Sequence, residues 1–210
     1  MRIQNVLTIL FASFTLAVSA QEEVQHITNL TLGKKEKKVF SSRDSSLTIA
    51  IDTLIMGDKS SLQFLGKKDV KILVKHAIIG NNAVIYGSDG KNNAADIDFS
   101  VNLQKLGSLY ILAAGQDAFN GTRTHPNGNG GNVTLRLAAG SIVPQQENKK
   151  AANYLSVATN PGGQHVNASS DLRNIYSQIK LSSAGLRGVP QGQIYSGSAG
   201  KPGKLTIVQD

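Results

Sequence analysis

From Leu47 onward, apolar and polar residues alternate along much of the chain. Leu47, Ile49 and Ile51 alternate with Thr48, Ala50 and Asp52, and Ile72 and Val74 with Lys71, Leu73 and Lys75. Ile97, Phe99, Val101 and Leu103 alternate with Asp98, Ser100 and Asn102, and Leu109 and Ile111 follow. A period of two predicts half-buried strands. A further strand is predicted at His26–Leu32, within an otherwise polar, basic entry segment over 21–46. No long stretch has helical periodicity. Asp171–Leu181 fits helix and strand about equally, and a strand is expected at its end.

The strands repeat. Ile49–Gly57 (IAIDTLIMG) lies on Ile72–Gly80 (ILVKHAIIG), so the two glycines are 23 residues apart. Each is followed by a short polar stretch and a second strand, Leu62–Phe64 or Val84–Tyr86. A looser copy runs from Ile97 through Gly107 to Leu112, another begins at Val133–Leu137, and Leu205–Val208 would close the stack. Short strands at a period in the low twenties, punctuated by Gly, Asn and Asp, predict a β-solenoid domain over 47–210. An antiparallel β-sandwich is the alternative. Two Gly-rich loops, 115–132 and 185–204, interrupt the pattern and are read either as recognition loops or as tethers.

The first 20 residues follow the grammar of a secretory signal peptide. Arg2 is followed by an apolar run over Val6–Val18, then by Val18-Ser19-Ala20 with small residues at the cleavage positions. The run is shorter than a membrane-spanning helix needs, roughly 20 residues. The expected location is secreted, periplasmic or cell-surface. The chain has no cysteine, which excludes disulfides, thiol catalysis and thiolate metal sites. Its formal net charge is +8, and Arg2 is the only charged residue in the leader. Lysines cluster at 34–38, at Lys67, Lys68, Lys71 and Lys75, and at Lys149-Lys150. A basic exported protein is suited to an acidic polysaccharide, an envelope component or another surface protein. Trp is absent and aromatics are few, which argues against stacking platforms.

The strand and glycine pattern over 47–143 and 172–210 resembles secreted bacterial right-handed parallel β-helix proteins of the pectate-lyase-like type. The resemblance is architectural. That class holds polysaccharide-cleaving enzymes, glycan-binding proteins and adhesive modules, and fold does not choose among them.

Candidate chemistry is thin. Asp96 and Asp98, two apart on a strand, point to one face, where paired carboxylates bind Ca²⁺ or act as acid and base on a polysaccharide. Asp52, from an earlier coil, is expected to stack nearby. No acid-plus-base set of the lyase kind can be assembled. His125 lies in the first Gly-rich loop with Asp117 and Arg123 close in sequence, which makes these three binding candidates beside Lys67, Lys68 and Lys71. His26, His76 and His165 have no ligand-spaced partners. There is no phosphate-binding glycine motif, so no nucleotide and no cofactor is expected. Asn29, Asn120, Asn132 and Asn167 head glycosylation sequons. The first expectation is a non-enzymatic structural or adhesive module, and the second is a carbohydrate-binding or polysaccharide-cleaving protein. Strand addition at uncapped ends makes self-association a third possibility.

Overall fold

A computed structural model of the chain describes residues 24–120, 124–163, 172, 173, 176 and 198–209. Residues 1–23, Arg123, His165, Asn167 and most of the second Gly-rich stretch lie outside these residues. So does the end of Asp171–Leu181, although Leu172, Arg173 and Tyr176 have helical backbone.

The strands are β1 (Val24–Leu32), β2 (Lys37–Phe40), β3 (Ser46–Met56), β4 (Ser61–Leu65), β5 (Asp69–Ile79), β6 (Ala83–Ser88), β7 (Asp96–Leu106) and β8 (Ser108–Leu112). They continue with β9 (Phe119–Asn120), β10 (Thr124–His125), β11 (Val133–Leu137), β12 (Tyr154–Ala158) and β13 (Leu205–Gln209). Sheet A stacks β1-β3-β5-β7-β11-β13, and sheet B stacks β2-β4-β6-β8-β12. Every pairing within these two sheets is parallel. The chain therefore alternates between sheets and winds a parallel β-solenoid, with about three turns from β1 to β7. Parallel pairing excludes the antiparallel sandwich. The short β9–β10 hairpin is antiparallel and belongs to neither sheet.

The 23-residue offset read from the sequence is the physical register: Ile49 pairs with Ile72 and Ile51 with Val74. Inward columns form because stacked coils place like positions above one another. One column runs Ile49, Ile72, Phe99, Leu135, and another Leu32, Met56, Ile79, Leu106. Both belong to one continuous buried core. In sheet B, Phe40 and Phe64 stack with ring centroids 5.2 Å apart. The first coil starts at Val24, ahead of Leu47, because β1 pairs with β3 along its length.

Each long strand also turns a corner. In β3 the buried apolar residues are Ile49 and Ile51, then Leu54 and Met56, so Asp52 and Thr53 both face out. In β5 Lys75 and His76 do the same between Val74 and Ala77. A strict period of two cannot accommodate two outward residues in succession, and these breaks mark where the coil bends.

The glycine punctuation has a steric cause. Gly33, Gly57, Gly80 and Gly107 stack at the turn from sheet A to sheet B. A Cβ on Gly57 would lie 2.9 Å from the Leu32 oxygen, and one on Gly107 2.8 Å from the Gly80 oxygen. The last three amides bond the coil before them: Gly57 N–H to Leu32 O at 2.8 Å, Gly80 to Met56 at 2.7 Å, Gly107 to Ile79 at 2.8 Å. Backbone this closely stacked leaves no room for a side chain.

Candidate functional site

Two open grooves lie on the outer face of sheet A, where strand residues that point away from the core are aligned by register. Asp69 stands beside Asp96, and Lys71 beside Asp98, which stands beside Thr134. These residues and Asn132 line a groove of about 350 Å³. A second groove of about 470 Å³ has Ala50, Leu73 and Ala138 among its lining, with Asp52, Lys75 and Arg136 supplying charge.

Asp96 and Asp98 share this face as expected, and both are tied to the next coil. Asp96 Oδ1 accepts the Asn132 N–H at 2.6 Å. Asp98 Oδ1 accepts from Arg136 Nε at 3.2 Å. The carboxylate stacked on Asp96 is Asp69; Asp52 is not near this pair in register. The third coil carries an extra turn at Gly87–Ala95, so β5 and β7 pair at an offset of 27 residues at Asp69–Asp96, not 23. A fixed period therefore misplaces Asp52 and misses Asp69. Among the described residues, no three His, Asp or Glu side chains are grouped so that they would hold a metal ion.

Asp52 sits at the corner of β3 and pairs with Lys75, Nζ to Oδ1 2.7 Å. The close Lys75 ammonium holds the Asp52 carboxyl below its ordinary range, and the charges of His26 and His76 act in the same direction against partial desolvation. A depressed carboxyl favours the fold above the unfolded carboxylate pKa, and that contribution is lost as pH falls through the folded value. Lys75→Met is expected to move the Asp52 titration up toward the ordinary carboxylate range, read from its carboxyl ¹³C shift. An unmoved midpoint would show that the contact is not kept in solution.

The basic candidates separate. Lys67 is wholly buried, so it leaves the surface cluster. Its ammonium donates to Ser42 O at 3.0 Å, to Ser42 Oγ and to Asp44 O. Lys68 and Lys71 are exposed. Lys37 and Lys38 charge the end strand β2, a placement that opposes strand addition there.

Part of each Gly-rich stretch packs against neighbouring coils. Residues 127–132 run through the middle of four neighbouring segments. Gly128 N–H bonds Gln116 O at 2.8 Å, and Gly131 N–H bonds Ala113 O at 2.9 Å. Ala94 N–H bonds Asn129 O at 3.0 Å, Gly162 N–H bonds Gly128 O at 2.8 Å, and Gly130 N–H bonds Lys201 O at 2.9 Å. Side chains repeat the stacking: Asn129 N–H bonds Asn93 Oδ1 at 2.9 Å, and Lys201 N–H bonds Asn129 Oδ1 at 2.7 Å. Asn127 is buried, accepting from Ala118 N–H and donating to Ser198 O, each at 2.7 Å. Asp117, a binding candidate, accepts the Gly163 N–H at 2.6 Å and so anchors this layer. His125 is half-buried in β10, and its carbonyl accepts from Asn92 Nδ2 at 3.5 Å.

Among known proteins, the chain matches no family model, no curated protein and no solved structure. What stands is the parallel β-solenoid architecture, without a tie to the pectate-lyase-like type.

Proposed function

We propose that this is an exported or surface-displayed, non-enzymatic module, a rigid β-solenoid that adheres to envelope or matrix material. The observation that carries the reading is how the acids are used. Asp96 bonds the backbone of the next coil, Asp98 bonds Arg136, and Asp117 bonds Gly163 N–H. These carboxylates stitch coils together, which is scaffold work. The sequence pattern of residues 1–20 supports export.

The test incubates the purified protein with a panel of neutral and acidic polysaccharides, following new chain ends and retention together. Retention without cleavage is expected. Asp96→Ala is expected to cost about 1.5–3 kcal/mol of stability, the worth of a hydrogen bond to a charged group. Cleavage lost in Asp96→Asn and Asp98→Asn variants of unchanged melting temperature would replace this reading with the second one, a polysaccharide-cleaving protein. One observation favours that alternative: Asp69, Asp96 and Asp98 line one groove with Lys71.

A further inference from the structure

Sheet B presents a different outer surface. None of its strands contains Asp or Glu, whereas sheet A strands carry Asp52, Asp69, Asp96 and Asp98. Three of the chain's five tyrosines, Tyr86, Tyr110 and Tyr154, occupy outward positions on β6, β8 and β12, each half-buried. The inward positions beside them are filled by Ile85, Leu109, Ile111 and Leu155.

Register sets the tyrosines in a line. Tyr86 stands beside Leu112, Tyr110 beside Val84 and Ser156, and Tyr154 beside Ser108. Each is offset from the next by one strand and two residues, so they cross the sheet on a diagonal with steps of about 8 Å. The Tyr110 and Tyr154 rings meet edge to face at 5.9 Å. Tyr86 Oη accepts from Gln116 Nε2 at 3.0 Å. Lys149 Nζ lies 5.7 Å from the Tyr110 ring centre, and Lys37 heads the outward column that runs through Ser61 and Val84 to Tyr110. Leu112, in the neighbouring outward column, is 37% exposed.

We propose that this tyrosine diagonal is a binding site for an acidic polysaccharide. The proposal rests on the adhesive-module reading and names the ligand and face for it. Sugar rings offer C–H faces that pack on tyrosine, and their carboxylate or sulfate groups meet Lys37 and Lys149. Strands free of acid impose no repulsion on a polyanion. Gln63, Gln116 and Ser156 place neutral hydrogen-bonding groups among the rings, which suits sugar hydroxyls. Single-stranded nucleic acid shares the charge and the flat rings, and it enters as a competing outcome.

The experiment measures retention of the purified protein by alginate, hyaluronate, dextran sulfate, neutral dextran and oligothymidylate at low and physiological salt. Retention by at least one acidic polysaccharide, above neutral dextran and oligothymidylate, is expected to survive physiological salt. Tyr110→Ala is expected to weaken it about tenfold and Tyr110→Phe by less than about twofold, because ring packing carries the contact. Lys71→Gln, on sheet A, is expected to leave it unchanged. Retention by none of the three acidic polymers at physiological salt, unchanged retention in Tyr110→Ala, or preference for oligothymidylate would each overturn the proposal. Binding lost in Lys71→Gln but kept in Tyr110→Ala would also overturn it while leaving the adhesive reading intact. Cleavage of a retained polymer would defeat the non-enzymatic reading and leave the tyrosine site standing.

Discussion

Gly128→Ala is expected to destabilise the protein by more than about 4 kcal/mol, beyond the range of most single substitutions. A Cβ at this position would fall inside the van der Waals envelope of the Asn92 carbonyl, and backbone cannot swing aside as a side chain can. The surroundings are fixed on other sides too, by the bonds of Gly128 N–H to Gln116 and of Gly162 N–H to Gly128 O. Relieving the clash would part these layers and leave buried amides unpaired, each at a cost of about 1–3 kcal/mol. Gly140→Ala is the control. Gly140 has φ +79° and open space around it, so a side chain there pays backbone strain alone, about 1–2 kcal/mol. For a chain of this size 1 kcal/mol corresponds to about 2–4 °C. Gly128→Ala should therefore melt about 10 °C or more below wild type, and well below Gly140→Ala. Equal melting of the two variants would show that the glycine layer is loose in solution.

The same layer shows where sequence reasoning stops. The 23-residue offset was legible because Ile49–Gly57 and Ile72–Gly80 fill equivalent places in equal coils, so side-chain pattern and register coincide. Beyond Gly87 the coils lengthen. Asp96 stacks on Asp69 across 27 residues, and Asn132 accepts from Lys204 across 72. A fixed period does not find such partners. Glycine is ambiguous in a sequence, since it marks both mobile chain and backbone packed too tightly for a Cβ; residues 127–132 prove to be the second. The tyrosine line was hidden for a related reason. Few aromatics in composition argue against a stacking platform, yet three strands at unequal spacing bring Tyr86, Tyr110 and Tyr154 onto one face. The strand corners had a visible signal in retrospect, the polar pairs Asp52-Thr53 and Lys75-His76 that break alternation at equivalent positions.

Lys67 was misread because charge in a sequence does not say which way a side chain faces. Gly66, at φ +74°, turns the chain directly before it, and Lys67 is buried while Lys68 is exposed. An ammonium has three donors, and here they meet Ser42 O, Ser42 Oγ and Asp44 O. The same residue's N–H bonds Ser88 O at 2.9 Å, so Lys67 joins the segment before β3 to the end of β6. Lys67→Met keeps most of the buried volume and removes only the bonds. Two effects then compete: removing a buried charge refunds its desolvation, while the stranded acceptors lose their partners. The second should win, because two of the three acceptors are backbone carbonyls that methionine cannot satisfy. The expected net loss is about 2–4 kcal/mol, whereas Lys68→Met should stay within about 0.5 kcal/mol. Urea denaturation measures both. Hydrogen exchange over residues 41–46 supplies the local readout, and these amides should exchange faster in Lys67→Met. Wild-type stability with unchanged exchange would mean that the ammonium does not hold this segment, and that Lys67 reaches solvent after all.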